Sequence, residues 1–304
     1  MSLTGCYNDR NRSVDPGQHR AGGTAVSATD RGRESATGGN RTLPTPGATG
    51  QWTIVALLGA VLVAYLLGPF VAFLVEHGLP APGAFADPAV RSAIVTSLVT
   101  APVATLLATV FGVPLAYVLA RYSFRGKRLL EALVVLPLVT PPVVGGVVLV
   151  SAFGRLTPIG SAAAALGLPL TQGYAGVVLA QTFVAAPFLV VTARSGFASV
   201  DHDLERAARN LGKGPLATVR TVSLPLARGS IVAGIVLTFA RALGEFGATM
   251  LLGHPPETMP TRIWVEFVAG GTDATVPLVV ALLGSGLAVV FVLQLLGDSL
   301  EFSP

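Results

Sequence analysis

The sequence predicts an all-α integral membrane protein with six transmembrane helices behind a disordered amino-terminal tail, and three observations predict it. The 304 residues are 52% hydrophobic and only 12% charged, and the mean hydropathy is +0.68, outside the balance of a soluble domain. Six stretches, 53–75, 92–120, 129–153, 173–193, 229–252 and 276–296, are long and apolar enough to cross about 30 Å of hydrocarbon, which takes roughly 20 helical residues. Their apolar residues run continuously instead of alternating in steps of two, which excludes a strand barrel. In lipid each backbone N–H and C=O must be satisfied within its own segment, so helices remain.

Residues 1–50 are rich in Gly, Thr, Ser, Arg and Asp and almost lack large apolar side chains, so they cannot bury enough surface to fold. They read as a disordered, solvated cytoplasmic tail with a basic character that anionic lipid could attract. The apolar core of a cleaved signal peptide is missing after the early arginines, and the first span, within 51–76, is expected to stay as an anchor. The lone Cys6 supports neither a disulfide framework nor a multi-cysteine metal site. The remaining spans form one membrane unit over 91–298. Gly145-Gly146 and Gly284-Ser285-Gly286 suit the close packing that holds helices together in lipid. Pro114, Pro137, Pro141-Pro142 and Pro187 lie inside spans, either as packed bends or as gating kinks.

Orientation follows from Arg and Lys. The tail holds six arginines, the 121–128 loop holds Arg121, Arg125, Lys127 and Arg128, and the loop after the fourth span holds Arg206, Arg209, Lys213, Arg220 and Arg228. The opposite loops contain only Arg91, Arg155 and Arg262. Both termini and the loop after span four are therefore expected in the cytoplasm. The net charge of +4 is accounted for by these loops and calls for no nucleic acid.

The loop after span four is the most patterned polar segment. Leu204, Ala207, Ala208 and Leu211 recur at the spacing of one helical face, with Glu205, Arg206, Arg209 and Asn210 on the other. Asp201 stands at the N-cap, Asp203 and Glu205 in the first turns, and Gly212 at the stop. Pro215 then opens a second short helix with a stripe of Leu216, Val219 and Val222, expected to end at Leu224-Pro225. Two amphipathic helices joined at a glycine look like a docking platform; a solvated loop is the bland alternative.

Arg241 and Glu245 fall four residues apart near the middle of span five. An arginine at the bilayer centre costs about 2.5–3.5 kcal/mol on insertion scales, and the spacing lets the two pair on one face. They read either as a pair locking helix packing or as charges near an anion's path or gate, and the two roles are compatible. No G-x-x-x-x-G-K-[ST], H-E-x-x-H, triad or intramembrane Asp pair occurs, so nothing points to an enzyme, a bound metal or a cofactor in this chain.

Ala207-Ala208, Gly212, Val222 and Leu224-Pro225 resemble the cytoplasmic loop of permease subunits of ABC importers, whose pattern is Glu-Ala-Ala, three residues, Gly, nine residues, Ile-x-Leu-Pro. Arg206 stands at the usual acidic position, and Glu205 matches the acidic residue that many relatives carry one place earlier. Arg241-Ala242-Leu243-Gly244-Glu245-Phe246-Gly247-Ala248-Thr249 and Leu136-Pro137-Leu138-Val139-Thr140-Pro141-Pro142 resemble the sulfate/molybdate branch, most of all molybdate and tungstate permeases. That resemblance covers about 91–296. It implies a type I importer permease fold and one half of a homodimeric pore. Glu205, Arg206, Ala207, Ala208, Leu211, Gly212, Leu224 and Pro225 would couple to cytoplasmic ATPase subunits carrying ATP and Mg. Arg241, Glu245 and Thr140 would lie at the path or gate. An extracytoplasmic solute-binding protein would deliver the oxyanion to the loops at 79–90, 155–171 and 253–275. A sulfate or thiosulfate permease is the alternative within the class, and an ATP-independent channel or secondary transporter the alternative outside it.

Overall fold

The computed structural model describes residues 48–301, with side chains for 52–289 and Phe291. The expected tail and Cys6 lie outside the described residues, except that 48–50 already begin the first helix. The chain separates into two units, one ending at Leu62 and one starting at Val63. The first, as far as described, is helical, with Trp52, Leu57, Leu58 and Leu62 exposed, as suits side chains facing lipid.

All regular structure among the described residues is helical: α1 Ala48–His77, α2 Pro88–Arg121, α3 Lys127–Val139, α4 Pro142–Phe153, α5 Pro158–Ala165, α6 Tyr174–Ser199, α7 His202–Asn210, α8 Pro215–Thr218, α9 Leu224–Leu243, α10 Gly247–Leu252 and α11 Met259–Glu301. Asp87 starts α2 by accepting hydrogen bonds from the N–H groups of Ala89 and Val90, and Pro88 occupies the first turn where no donor is missed. The buried face of α2 is a stripe of small residues, including Ala93, Ser97, Ala101, Ala104, Ala108, Gly112 and Ala116. Against it packs α6, and against α6 packs α9. Small side chains let these backbones approach, since water supplies no pull between helices in lipid. At Gly196 of α6 a Cβ would lie 2.4 Å from Ser230 Cβ of α9, too close for any side chain. Thr100, Thr105 and Thr109 turn their hydroxyls back onto the carbonyls one turn earlier at 2.7–2.8 Å, so they satisfy themselves inside the bundle.

Three of the six expected spans are not simple rods. The third is broken into α3 and α4, between which the chain bends by 118°. Pro141 has no N–H and its ring drives Thr140 to an extended conformation (φ −82°, ψ 127°), so the helix cannot pass the two prolines. The other span prolines do not break their helices: Pro114, Pro137 and Pro187 lie inside α2, α3 and α6. The fifth span stops at Gly244 and restarts as α10 at Gly247. The sixth is preceded by a kink at Gly271, whose φ of 72° favours glycine.

Candidate functional site

The loop between α6 and α9 folds much as its caps dictate. Asp201 accepts a hydrogen bond from the Asp203 N–H at 2.8 Å. At the other end Gly212 is left-handed (φ 85°), while the N–H groups of Gly212 and Lys213 close onto the carbonyls of Arg209 and Ala208 at 2.9 and 3.1 Å. That pattern satisfies carbonyls that the end of α7 would otherwise leave orphaned.

The faces of α7 differ from expectation. Glu205, assigned to the outward polar face, is 1% exposed. Its Oε1 accepts from the Ser223 hydroxyl at 2.6 Å and lies 3.0 Å from Arg121 Nε at the end of α2; Arg209 stands 3.5 Å from Oε2. Arg121 in turn donates to the Val200 carbonyl at 2.8 Å. A buried carboxylate needs this set of partners, and reaching them rolls α7 so that Glu205 and Ala208 face inward. Leu204, Ala207 and Leu211 are left outside, with Leu211 83% exposed. Arg206 is also exposed and pairs within α7 with Asp203. The apolar stripe is thus split, and Ala208 is part of the protein's own packing.

Leu224-Pro225 does not end the second helix. From α8 the chain passes through a π-turn at Val219–Ser223, where the Leu224 N–H bonds to the Val219 carbonyl, and runs on as α9. Pro225 cannot donate, and the wider turn just before it absorbs that gap.

At the far end of α9, some 20 residues and about 30 Å away, Arg241 Nη1 lies 2.6 Å from Glu245 Oε2. Glu245 is not inside a helix but in the break before α10, where its Oε1 accepts the Ala248 N–H at 2.8 Å. One fully buried carboxylate thus pairs with a cation and caps a helix. The break in the fifth span packs on the break in the third: a Cβ at Gly247 would sit 3.0 Å from Pro142 Cβ and from Val143 N. Thr140, expected at the path, lies at that second break with its hydroxyl turned onto the Leu136 carbonyl at 2.8 Å. The two breaks come together; α7 and Arg241 do not.

Sequence reasoning counted Arg121 only as a cytoplasmic charge and overlooked Ser223, although these two hold Glu205. It also passed over Gln181, Thr96 and Thr249, which are buried with side-chain atoms that have no hydrogen-bond partner among the described residues. Gln181 is the one side-chain amide in the fourth apolar stretch, and that was the available signal. No three potential metal-ligating side chains converge among the described residues.

The family described as binding-protein-dependent transport system inner membrane component matches residues 112–302. The chain is 45% identical over 255 residues to a probable molybdenum ABC transporter permease protein of Haloferax volcanii, covering 81% of this chain and 90% of that protein. It is 35% identical over 244 residues to a molybdate/tungstate transport system permease protein of Pyrococcus abyssi, covering 79% and 93%. In fold it is similar to a chain of a bacterial ABC transporter involved in the import of the acidic polysaccharide alginate, with a TM-score of 0.64 at 15% identity over 84% of this chain and 97% of the other.

Removing one partner of a buried ion pair costs about 3–5 kcal/mol in soluble cores, whereas an exposed pair is worth about 0–1 kcal/mol. Arg121→Gln should therefore lower the unfolding temperature in detergent by many degrees, and Arg206→Gln should leave it nearly unchanged. Equal melting of the two variants would remove the clamp from Glu205.

Proposed function

Because the chain belongs to the family of binding-protein-dependent transport system inner membrane components, we propose that it is the membrane-spanning permease of an ABC importer for molybdate or tungstate. The observation that carries the substrate reading is the extent of identity to molybdate and tungstate permeases, which spans nearly the whole of those proteins. What supports the coupling reading is the roll of α7. With Glu205 tied to α2 and α9's approach, the exposed Leu204, Ala207 and Leu211 are free to enter a partner's groove.

In this reading two cytoplasmic ATPase subunits, which hold ATP and Mg, grip α7, and hydrolysis belongs to them. Glu205 and Ala208 position the helix, while Arg206, Gly212, Leu224 and Pro225 shape the loop around it. A second copy of the chain completes the pore, and an extracytoplasmic binding protein delivers the oxyanion on the side opposite α7. Closure of the ATPase pair shifts α7, and rocking of the helix bundles alternates access. Both termini face the cytoplasm of the cell membrane. In this reading Arg241, Glu245 and Thr140 lie at the path or gate; the packing of the two breaks on each other supports it, and a guanidinium there can meet an anion while its pairing keeps the cost of burial down.

Uptake of radiolabelled molybdate, tungstate and sulfate in a strain lacking the transporter tests the substrate. Molybdate and tungstate are expected to accumulate and to displace one another, with sulfate a poor competitor. Preferential sulfate accumulation overturns the choice of anion, and uptake without the ATPase overturns the class.

Ala207→Asp puts a carboxylate where an apolar groove is proposed, at a cost of about 2 kcal/mol or more, so permease-stimulated ATP hydrolysis should fall about thirtyfold. Membrane insertion and melting should survive, because Ala207 is exposed. Normal stimulation would dismiss α7 as the docking helix.

Arg241→Ala and Glu245→Ala should each destabilise the protein, and the double change should recover part of the loss. Uptake should stay lost in the double variant. Recovery of uptake along with stability would reduce the pair to packing, and an Arg241→Ala protein with full stability and transport would exclude both roles.

A further inference from the structure

A cavity with a volume of about 620 Å³ lies between the end of α2, α7 and α8. Its floor is apolar, built from Val113, Val118, Leu216 and Val219, with Arg121, Arg209 and Arg220 among its lining residues. One carboxylate, Glu205, answers these three guanidiniums. It is engaged by Arg121, while Arg209 stands 3.5 Å away and half exposed. Arg220 is exposed and has no acidic partner among the described residues. Arg220 is thus unanswered, while Arg209, though paired with Glu205, is half exposed and has guanidinium donors to spare, so both can meet an anion beside the apolar chamber. His202 also lines the chamber, with a ring nitrogen 3.2 Å from Arg121 Nη1.

The shape and chemistry select among anions. A tetrahedral oxyanion would leave most of 620 Å³ empty and would gain nothing from an apolar floor. A phospholipid suits both parts: acyl methylenes fill the floor, and burying each is favourable by the hydrophobic effect, while the phosphate meets the two guanidiniums. Basic pockets between helices on the cytoplasmic side are where anionic headgroups bind.

We propose that this cavity binds an anionic phospholipid of the cytoplasmic leaflet, with the phosphate on Arg209 and Arg220 and an acyl chain along Leu216, Val118 and Val219. The lipid bridges α2, α7 and α8, and so ties the stiffness of the docking loop to the lipid around it. This rests on the reading that α7 faces the cytoplasm.

The purified protein should be delipidated in neutral detergent and titrated with dioleoylphosphatidylglycerol, dioleoylphosphatidylcholine, glycerol 1-phosphate or inorganic phosphate. Bound lipid is counted by native mass spectrometry, and unfolding temperature is followed in parallel. Phosphatidylglycerol should bind about thirtyfold more tightly than phosphatidylcholine, the effect expected of two surface cations, and should raise the unfolding temperature. The double variant Arg209→Gln/Arg220→Gln should lose that preference. Leu216→Trp, which keeps the charges and fills the chamber, should lose binding of both lipids. Equal binding of the two lipids, or an unchanged preference in the double variant, overturns the site. Stabilisation by glycerol 1-phosphate or phosphate to the same degree also overturns it, in favour of a soluble phosphate ester. Sided labelling of Gly214→Cys tests the orientation separately: labelling from outside with the preference intact would refute the cytoplasmic assignment and leave the anionic site standing.

Discussion

Backbone that leaves the helical conformation inside hydrocarbon has N–H and C=O groups that lipid cannot satisfy, and the chain has to cover them with protein. Two apolar stretches break in this molecule, at Thr140–Pro142 and at Gly244–Phe246, and each break lies against the other. Pro141 and Pro142 remove the donors that the first break would otherwise orphan. Glu245 supplies an acceptor for the second, taking the Ala248 N–H at 2.8 Å. The glycine at 247 lets the two approach to contact distance. The packing of α4 on α10 follows from that mutual cover, beside the trio of α2, α6 and α9 that small residues bring together.

The same economy governs charge. The two most deeply buried carboxylates, Glu205 and Glu245, each have an arginine within ion-pair distance and a further donor. Removing either arginine would leave a buried carboxylate without its cation, a loss of about 3–5 kcal/mol in soluble cores. Each pair also links elements: Arg121 joins α7 to α2, and Arg241 joins α9 to α10. Charges here define joints between helices more than they define surface.

The number and order of apolar stretches could be read from the sequence, because length and hydropathy are local properties. The caps Asp201 and Gly212 and the pairing of Arg241 with Glu245 were also legible, since each involves residues within a turn or two. The break at Thr140–Pro142 had its local signal in two prolines, but not its angle, which depends on what the broken ends pack against. The roll of α7 was hidden because Glu205 finds its partner on α2, far earlier in the chain. A periodicity argument assigns faces from hydrophobicity alone, and it put Glu205 outside and Ala208 on the docking side. The run of the chain through Leu224-Pro225 was hidden because a π-turn has no sequence pattern of its own.

From Pro215 to Leu243 the chain is a single span of 29 residues, about 43 Å long at helical rise, and the π-turn widens its ladder without interrupting it. The first place where the backbone can fold aside is Gly244, one residue before the carboxylate that holds Arg241 and opens α10. On the proposed coupling, a shift imposed at the loop end would reach, at the far end of this helix, the joint where the two broken stretches meet, with the ion pair as the bolt that has to slide or hold.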